Sequence, residues 1–420
     1  MIETSVLPSG IRLVTETMAD VRSVAVAYWV GSGSRDESDE LAGASHFLEH
    51  LLFKGTPTRS AAAIAESLDE VGGDCNAFTT KEYTTFYVRL LSEHLPLGLD
   101  ILSEIMWDPA LRPSDVDAER SVILDEILMH ADEPADLVAE QWQSSLFPGH
   151  ALGRDTLGTQ ATVGELHAAD IRRFFEHHYR PANMVVSVAG DCTHDGVAAD
   201  LERRFTGQGG GIAPARSAPG SATERLRVVR RPTEQAHVVY GVRSVSRFDE
   251  RRFALAVLNH VLGGGLSSRL FQKVREERGL AYSVWSERAT YEDAGSLAVV
   301  VGTAPDNVDE VLRIVTGELE LLAEHGITDR ELAVAKGNLR AEMLLSGEDS
   351  GARMGRIGAA MLLHGEVQKI DEVLARIEAV DRDQVLARAQ ELVEAPRTLS
   401  AVGPFDEDAF ADHVASRAGH

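Results

Sequence analysis

Cysteine is scarce in this sequence of 420 residues, which contains only Cys75 and Cys192. Two cysteines do not build the disulfide framework of small secreted proteins. Long apolar runs are missing as well, since no stretch approaches the roughly eighteen apolar residues that indicate a membrane helix. The first ten residues lack the basic and apolar regions of a secretory signal. We therefore expect a cytoplasmic protein that has no membrane partner.

Basic residues are outnumbered, with 41 Lys and Arg against 66 Asp and Glu and a formal net charge of −25. This charge repels phosphate, so nucleic acid is not an expected partner. Acidic residues keep a protein soluble, and an acidic chamber would also attract basic peptides. Charged residues make up 25% and hydrophobic residues 44% of the chain, which is typical of globular proteins. The length suits two or three domains.

The stretch from Ala44 to Phe53 contains His46 and His50, four residues apart. In a helix both side chains lie on one face, where two imidazoles can chelate one zinc ion. Glu49 lies beside His50 and can act on water without being a ligand. The order His-x-x-Glu-His is the inverted zinc-protease motif. The alternative interpretation of this pentapeptide is a solvated helix face with two hydrogen-bonded histidines.

A second acidic helix is predicted from Ser114 to Ile127, with Ser114 as its N-cap. A catalytic zinc needs three protein ligands and one open position, so a third ligand must come from elsewhere in the chain. Glu119 and Glu126 lie two turns apart on one face of this helix. A single Glu on an amphipathic helix is usually exposed. Here apolar residues surround both, and a buried carboxylate needs a partner such as a metal.

With these two stretches the chain resembles the pitrilysin and insulinase class of zinc peptidases, and more narrowly the bacterial relatives of mitochondrial processing peptidase, beta subunit type. The resemblance runs from Leu13 to about Val402. The segment Glu119-Arg120-Ser121-Val122-Ile123-Leu124-Asp125-Glu126 has the form of the family's second motif. The resemblance implies one zinc ion per chain, held by His46, His50 and Glu126. It implies that Glu119 orients a ligand from outside the coordination sphere.

The resemblance also implies substrate-binding residues. The segment Asn76-Ala77-Phe78-Thr79 matches the family's edge strand, which binds the substrate backbone as an added strand. From the residues alone, an ordinary edge strand is the alternative. Arg275 and Tyr282 match a pair that binds substrate and assists the zinc site, with Tyr282 donating to the developing oxyanion. Taken singly, these two residues indicate only a surface charge and a partly buried aromatic side chain.

Residues 207–221 are rich in Gly, Pro and Ser and are predicted to be a linker. They separate a zinc-binding peptidase domain, residues 1–206, from a substrate-binding domain, residues 222–420. The segment Ala256–Leu262 aligns on the segment His46–Leu52, but Ala256 and Asn259 replace a ligand and the base. We therefore predict an α+β protein of two homologous domains, each a mostly antiparallel sheet packed against helices. Helices are also predicted from Asp136 to Phe147 and from Ser350 to His364.

The function implied by the resemblance is that of a zinc metalloendopeptidase. Glu49 takes a proton from the attacking water, and an internal peptide bond is hydrolysed. Family members of this size close in pairs around a chamber, so we expect a homodimer whose sites are shared across chains and whose substrates are unfolded, basic peptides. One alternative is a non-catalytic scaffold, as in the core subunits of respiratory complexes, which lose motif residues. The other is a zinc hydrolase acting on small molecules. Manganese or cobalt is an alternative metal.

Overall fold

The structure, a computed structural model, describes residues 1–415. Over these residues it contains eleven strands and fifteen α-helices. The strands are β1 (Ile2–Val6), β2 (Arg12–Thr17), β3 (Ser23–Val30), β4 (Asp74–Thr79), β5 (Thr84–Leu91), β6 (Met184–Gly190), β7 (Leu226–Arg230), β8 (Ala236–Ser244), β9 (Ala281–Thr290), β10 (Gly295–Thr303) and β11 (Arg397–Gly403). The helices are α1 (Ala44–Leu52), α2 (Ala61–Asp69), α3 (Leu95–Trp107), α4 (Pro113–Asp132), α5 (Pro134–Leu146), α6 (Gln160–Glu165), α7 (Ala168–His178), α8 (His194–Arg204), α9 (Arg252–Leu262), α10 (Val308–His325), α11 (Asp329–Leu345), α12 (Ser350–His364), α13 (Ile370–Ala379), α14 (Arg382–Glu394) and α15 (Ala411–Val414).

The strands form two sheets with the same topology. The first sheet has the order β1-β2-β6-β3-β5-β4, and the second has the order β7-β11-β8-β10-β9. Without β1, each strand of the first sheet has a counterpart at the same place in the second. In both sheets one pair is parallel, β2 with β6 and β7 with β11, and the other pairs are antiparallel. The predicted α+β class with mostly antiparallel sheets is confirmed.

The chain forms two compact units that are not continuous in sequence. The first contains Met1–Ile127, Arg154–Arg216 and Leu344–Gln368, and the second contains Leu128–Gly153, Ser217–Met343 and the chain from Lys369 onward. The predicted domains at residues 1–206 and 222–420 follow chain order, whereas the compact units exchange one helical segment each. Residues 207–221, the predicted linker, contain no helix or strand.

Each sheet is buried on both faces. In the first unit, α1, α3, α7 and α8 cover one face, where Tyr28, Phe47 and Phe86 are among the fully buried side chains. The other face is covered by α12, whose Met354 and Ile357 pack on Ala25, Ala27 and Trp29. In the second unit, α9, α10 and α14 cover one face and α5 covers the other. Because both faces are covered, β3 is apolar along nearly its whole length.

Among residues 1–415, no helix combines the length and the apolar character that a bilayer crossing requires. The cytoplasmic location stays a prediction of the sequence.

Candidate metal centre

Helix α1 presents His46 and His50 on one face. Their Nε2 atoms lie 3.3 Å apart. The start of the helix is held by Glu37, whose carboxylate accepts hydrogen bonds from the backbone N–H of Gly43 (2.9 Å) and of Ser45 (2.7 Å). Burial raises the pKa of Glu37 to about 7, while these N–H groups lower it. The carboxylate therefore takes the place of a side-chain N-cap for the histidine helix.

Glycine is required at the start of α1. Gly43 has φ of +99°, and a Cβ atom on it would lie 2.7 Å from the carbonyl oxygen of Leu157. Any other residue would be strained in this backbone conformation and would collide with a neighbouring backbone. The position of the histidine helix therefore depends on a residue with no side chain.

Glu126 of α4 completes a cluster of three donor atoms. Its Oε2 atom lies 3.8 Å from the Nε2 atom of His46 and 3.6 Å from that of His50. All three donor atoms lie within 4.8 Å of one another. Tetrahedral ligands at zinc distances of about 2.0–2.2 Å are separated by about 3.3–3.6 Å. Two imidazoles and one carboxylate are a zinc donor set that leaves a fourth position open, so the residues present fit this metal.

Glu119 does not belong to the cluster but contacts one of its members, His50. Its Oε1 atom is 2.8 Å from the Nδ1 atom of His50, and its side chain is 5% exposed. Because a carboxylate only accepts hydrogen bonds, the Nδ1 atom of His50 carries the proton. The Nε2 atom of His50 then keeps its lone pair for a metal, as in the carboxylate–histidine–zinc arrangement.

Glu49 lies beside the cluster without belonging to it. Its Oε2 atom accepts a hydrogen bond of 2.6 Å from the hydroxyl of Thr79. Burial raises the pKa of Glu49, while the Thr79 hydrogen bond and His50 lower it. A carboxylate that is close to the ligands and free of the metal is placed to accept a proton from water.

The segment Asn76–Thr79 belongs to β4, which is an edge strand of the first sheet and pairs with β5. Within it, the side chain of Asn76 accepts a hydrogen bond from the N–H of Ala77 (2.8 Å), and Phe78 is partly exposed. The hydrogen bond from Thr79 to Glu49 joins this edge strand to the histidine helix.

Arg275 and Tyr282 lie in the second unit and contact each other. The guanidinium carbon of Arg275 lies 4.8 Å from the ring centroid of Tyr282 and 4.8 Å from that of Phe271. Arg275 belongs to a π-helical turn, Phe271–Glu276, and Tyr282 on β9 is 80% exposed. Their action on the zinc site stays a prediction.

Two residues of the site were missed from the sequence. Lys54 lies 2.6 Å from the Oε2 atom of Glu119, and Glu37 caps α1. Lys54 follows His50 by four residues but lies two residues beyond the end of α1, so its nearness in sequence to the histidine motif, and not helical spacing, was the usable signal. Glu37 had no comparable signal, because its contact with α1 depends on the path of the loop between β3 and α1.

Family models match most of residues 12–339, and curated relatives match nearly the whole chain. Residues 12–160 match the family described as insulinase (peptidase family M16), and residues 165–339 match the peptidase M16 inactive domain. An uncharacterized zinc protease of Streptomyces coelicolor is 45% identical over 97% of this chain and 90% of that protein. Another, from Bacillus subtilis, is 38% identical over 96% of this chain and 98% of that protein.

Two solved structures share the fold. A peptidase M16 inactive domain from Pseudomonas fluorescens superposes with a TM-score of 0.89 at 19% identity, covering 97% of this chain and 98% of the other. A protease from Helicobacter pylori has a TM-score of 0.89 at 22% identity, covering 96% and 99%. Given the extent and identity of the curated matches, this chain belongs to the pitrilysin and insulinase type of peptidase family, peptidase family M16.

Proposed function

We propose that the protein is a zinc metalloendopeptidase that hydrolyses internal bonds of unfolded, basic peptides. The observation that carries the proposal is the cluster of His46, His50 and Glu126 donor atoms within 4.8 Å, with the Glu49 carboxylate beside it. Zinc bound there would polarise the scissile carbonyl and make a water molecule more acidic. The relatives named as zinc proteases support this reaction class.

In this reaction the chain's own groups move one proton. Glu49 accepts a proton from water as the water oxygen adds to the peptide carbonyl carbon. The same carboxyl group then gives the proton to the amide nitrogen as the C–N bond breaks. The Thr79 hydroxyl donates to the Oε2 atom of Glu49 and so holds this carboxylate beside the candidate metal ligands.

A peptide bound as an added strand on β4 would lie next to this carboxylate. Strand addition uses backbone hydrogen bonds and therefore accepts many sequences, provided that the substrate is unfolded. The support is the edge position of β4 and the hydrogen bond that joins its last residue, Thr79, to Glu49.

We further propose a processing-peptidase-like homodimer that closes around a chamber. In it, Arg275 would hold the substrate backbone and Tyr282 would donate to the oxyanion in the site of the partner chain. The contact between the two side chains and the exposure of Tyr282 support a shared role at a surface.

Metal removal tests the reaction class. After dialysis against a chelator the protein is expected to lose cleavage of an unstructured Arg- and Lys-rich fluorogenic peptide, and one equivalent of zinc per chain should restore it. The net charge of −25 also predicts that kcat/KM for this peptide falls as salt rises, more steeply than for a neutral peptide of equal length. Cleavage that survives complete metal removal would exclude the proposed reaction.

A further inference from the structure

We propose that Lys54 is a positioning residue for the metal site and that it acts through Glu119. This inference rests on the zinc site of the proposed function. It concerns the arrangement of Lys54, Glu119 and His50, in which each carboxylate oxygen of Glu119 has its own partner. Oε1 lies 2.8 Å from the Nδ1 atom of His50, and Oε2 lies 2.6 Å from the Nζ atom of Lys54.

The two contacts together determine the orientation of the Glu119 carboxylate. With a single contact, to His50, the carboxyl group can turn about its terminal torsion, which is a broad and soft one. The second contact, to Lys54, removes this freedom. Since the carboxylate orients the imidazole of His50, Lys54 indirectly fixes the direction of the Nε2 lone pair.

The backbone of Lys54 is itself held in place, just beyond the end of α1. Its N–H donates to the carbonyl oxygen of Leu51 (3.0 Å), and its carbonyl oxygen accepts from the guanidinium of Arg112 (3.2 Å). Arg112 directly precedes α4, the helix that carries Glu119 and Glu126. The ion pair of Lys54 with Glu119 therefore connects the chain just after α1 to α4, and these two helices supply the three candidate metal ligands.

Because the Glu119 carboxylate is buried, it needs the positive charge of Lys54 as a partner. The Glu119 side chain is only 5% exposed, and an unpaired buried carboxylate is costly. Glu49 and Glu126 are two further carboxylates in the same site. A divalent ion together with the ammonium of Lys54 would balance these three negative charges. The side chain of Lys54 is 40% exposed, so it can be changed without opening the core.

The test is the zinc affinity of the metal-free protein, measured by competition with a chromophoric chelator. Lys54→Met is expected to weaken zinc binding about tenfold, at the lower end of the range for partners of metal ligands. Lys54→Arg keeps the charge and should bind within about threefold of wild type. Lys369→Met, at the start of α13 in the second unit, removes the same charge as a matched control and should leave the affinity unchanged.

A double-mutant cycle identifies the route of the effect. In a Glu119→Gln background, Lys54→Met is expected to change zinc affinity by less than about twofold, because the residue it acts through is already altered. Thermal melting of each metal-free variant separates loss of fold from loss of affinity.

Two results would overturn the inference while leaving the zinc site intact. One is wild-type zinc affinity in Lys54→Met, and the other is a full additional loss on top of Glu119→Gln. If the wild-type protein itself binds no zinc, both this inference and the proposed function are wrong.

Discussion

Several side chains of the candidate zinc site are oriented by a contact with a second residue. His50 is paired with Glu119, Glu119 with Lys54, and Glu49 with Thr79. Such outer contacts fix the direction of a side chain whose own torsions are free. Because several of these groups are carboxylates, losing one contact leaves a polar atom without its partner in a partly buried place.

Thr79 provides a test at the scale of a single residue. Thr79→Val removes the hydroxyl that holds Glu49 while keeping the size and the β-branched shape. We expect kcat to fall about tenfold or more, because a misplaced base loses part of its contribution, and zinc content to stay at the wild-type level. The measurement is steady-state cleavage of a fluorogenic peptide together with metal analysis.

Thr79→Ser is the matched control for this change. Serine keeps the hydroxyl and should retain most of the activity. Equal kcat values for the Val variant and the wild type would show that the contact with Glu49 has no role in the reaction.

At the scale of residues, the sequence predicted what depends on local spacing. His46, Glu49 and His50 share one helix, so their proximity follows from helical geometry. Glu126 came from the family resemblance, and the structure brings it to the two histidines. The contact of Thr79 with Glu49 was not predicted, because it joins a strand and a helix thirty residues apart.

Helix α12 packs closely on the first sheet because one of its residues is a glycine. Its Gly358 packs on the first sheet so closely that a Cβ atom would lie 2.2 Å from the Nε1 atom of Trp29 and 2.6 Å from the hydroxyl oxygen of Ser187. These two polar atoms are hydrogen-bonded to each other at 2.8 Å. Gly355 of the same helix has no atom within 4 Å of a Cβ position.

The two glycines make a matched pair of variants. Gly358→Ala is expected to destabilise the protein by about 1–3 kcal/mol through overpacking against Trp29. Gly355→Ala adds the same methyl group in open space and should be neutral or stabilising by up to about 1 kcal/mol, because alanine favours the helix. Denaturant unfolding, followed by the fluorescence of Trp29 and the other tryptophans, measures both. The same loss of stability in both variants would contradict this packing.

The bounds of α12, Ser350–His364, agree with the helix predicted from the sequence, but its location was not predicted. Helix α5 was predicted from Asp136 to Phe147 and spans Pro134–Leu146, and its packing on the second sheet, although it precedes the linker in the chain, was likewise not predicted. Periodicity shows that a helix has an apolar face and does not show which sheet receives it. Strand β4, in contrast, was expected at an edge and lies at one.

At the scale of the whole molecule, the protein is a duplication, and within residues 1–415 the cluster of candidate metal ligands lies in the first copy. The two sheets have equivalent strand orders, and α9 occupies the place of α1 in the sequence alignment. Its His260 is buried with Ala256 one turn before it, so the second copy offers one imidazole where the first offers two. The repeat was detectable because strand and helix patterns survive substitutions that remove a ligand.

The proposed sharing of sites across a homodimer predicts complementation. Glu49→Gln and Arg275→Ala are each expected to be nearly inactive alone. Mixed after unfolding and refolding in equal amounts, they should regain up to about a quarter of wild-type activity, since about half of the dimers are mixed and each mixed dimer has one complete site. Size-exclusion chromatography checks that the mixture is dimeric. If Arg275 serves the zinc site of its own chain, the mixture stays inactive.

The proposed zinc peptidase reaction is tested most directly by comparing the wild type with Glu49→Gln in two assays, zinc content and cleavage of an unstructured Arg-rich peptide. The substitution leaves His46, His50 and Glu126 in place and removes only the base. We expect one zinc ion per chain in both proteins and cleavage by the wild type alone. A wild type that binds no zinc, or a Glu49→Gln variant that cleaves as fast as the wild type, would contradict the proposed reaction.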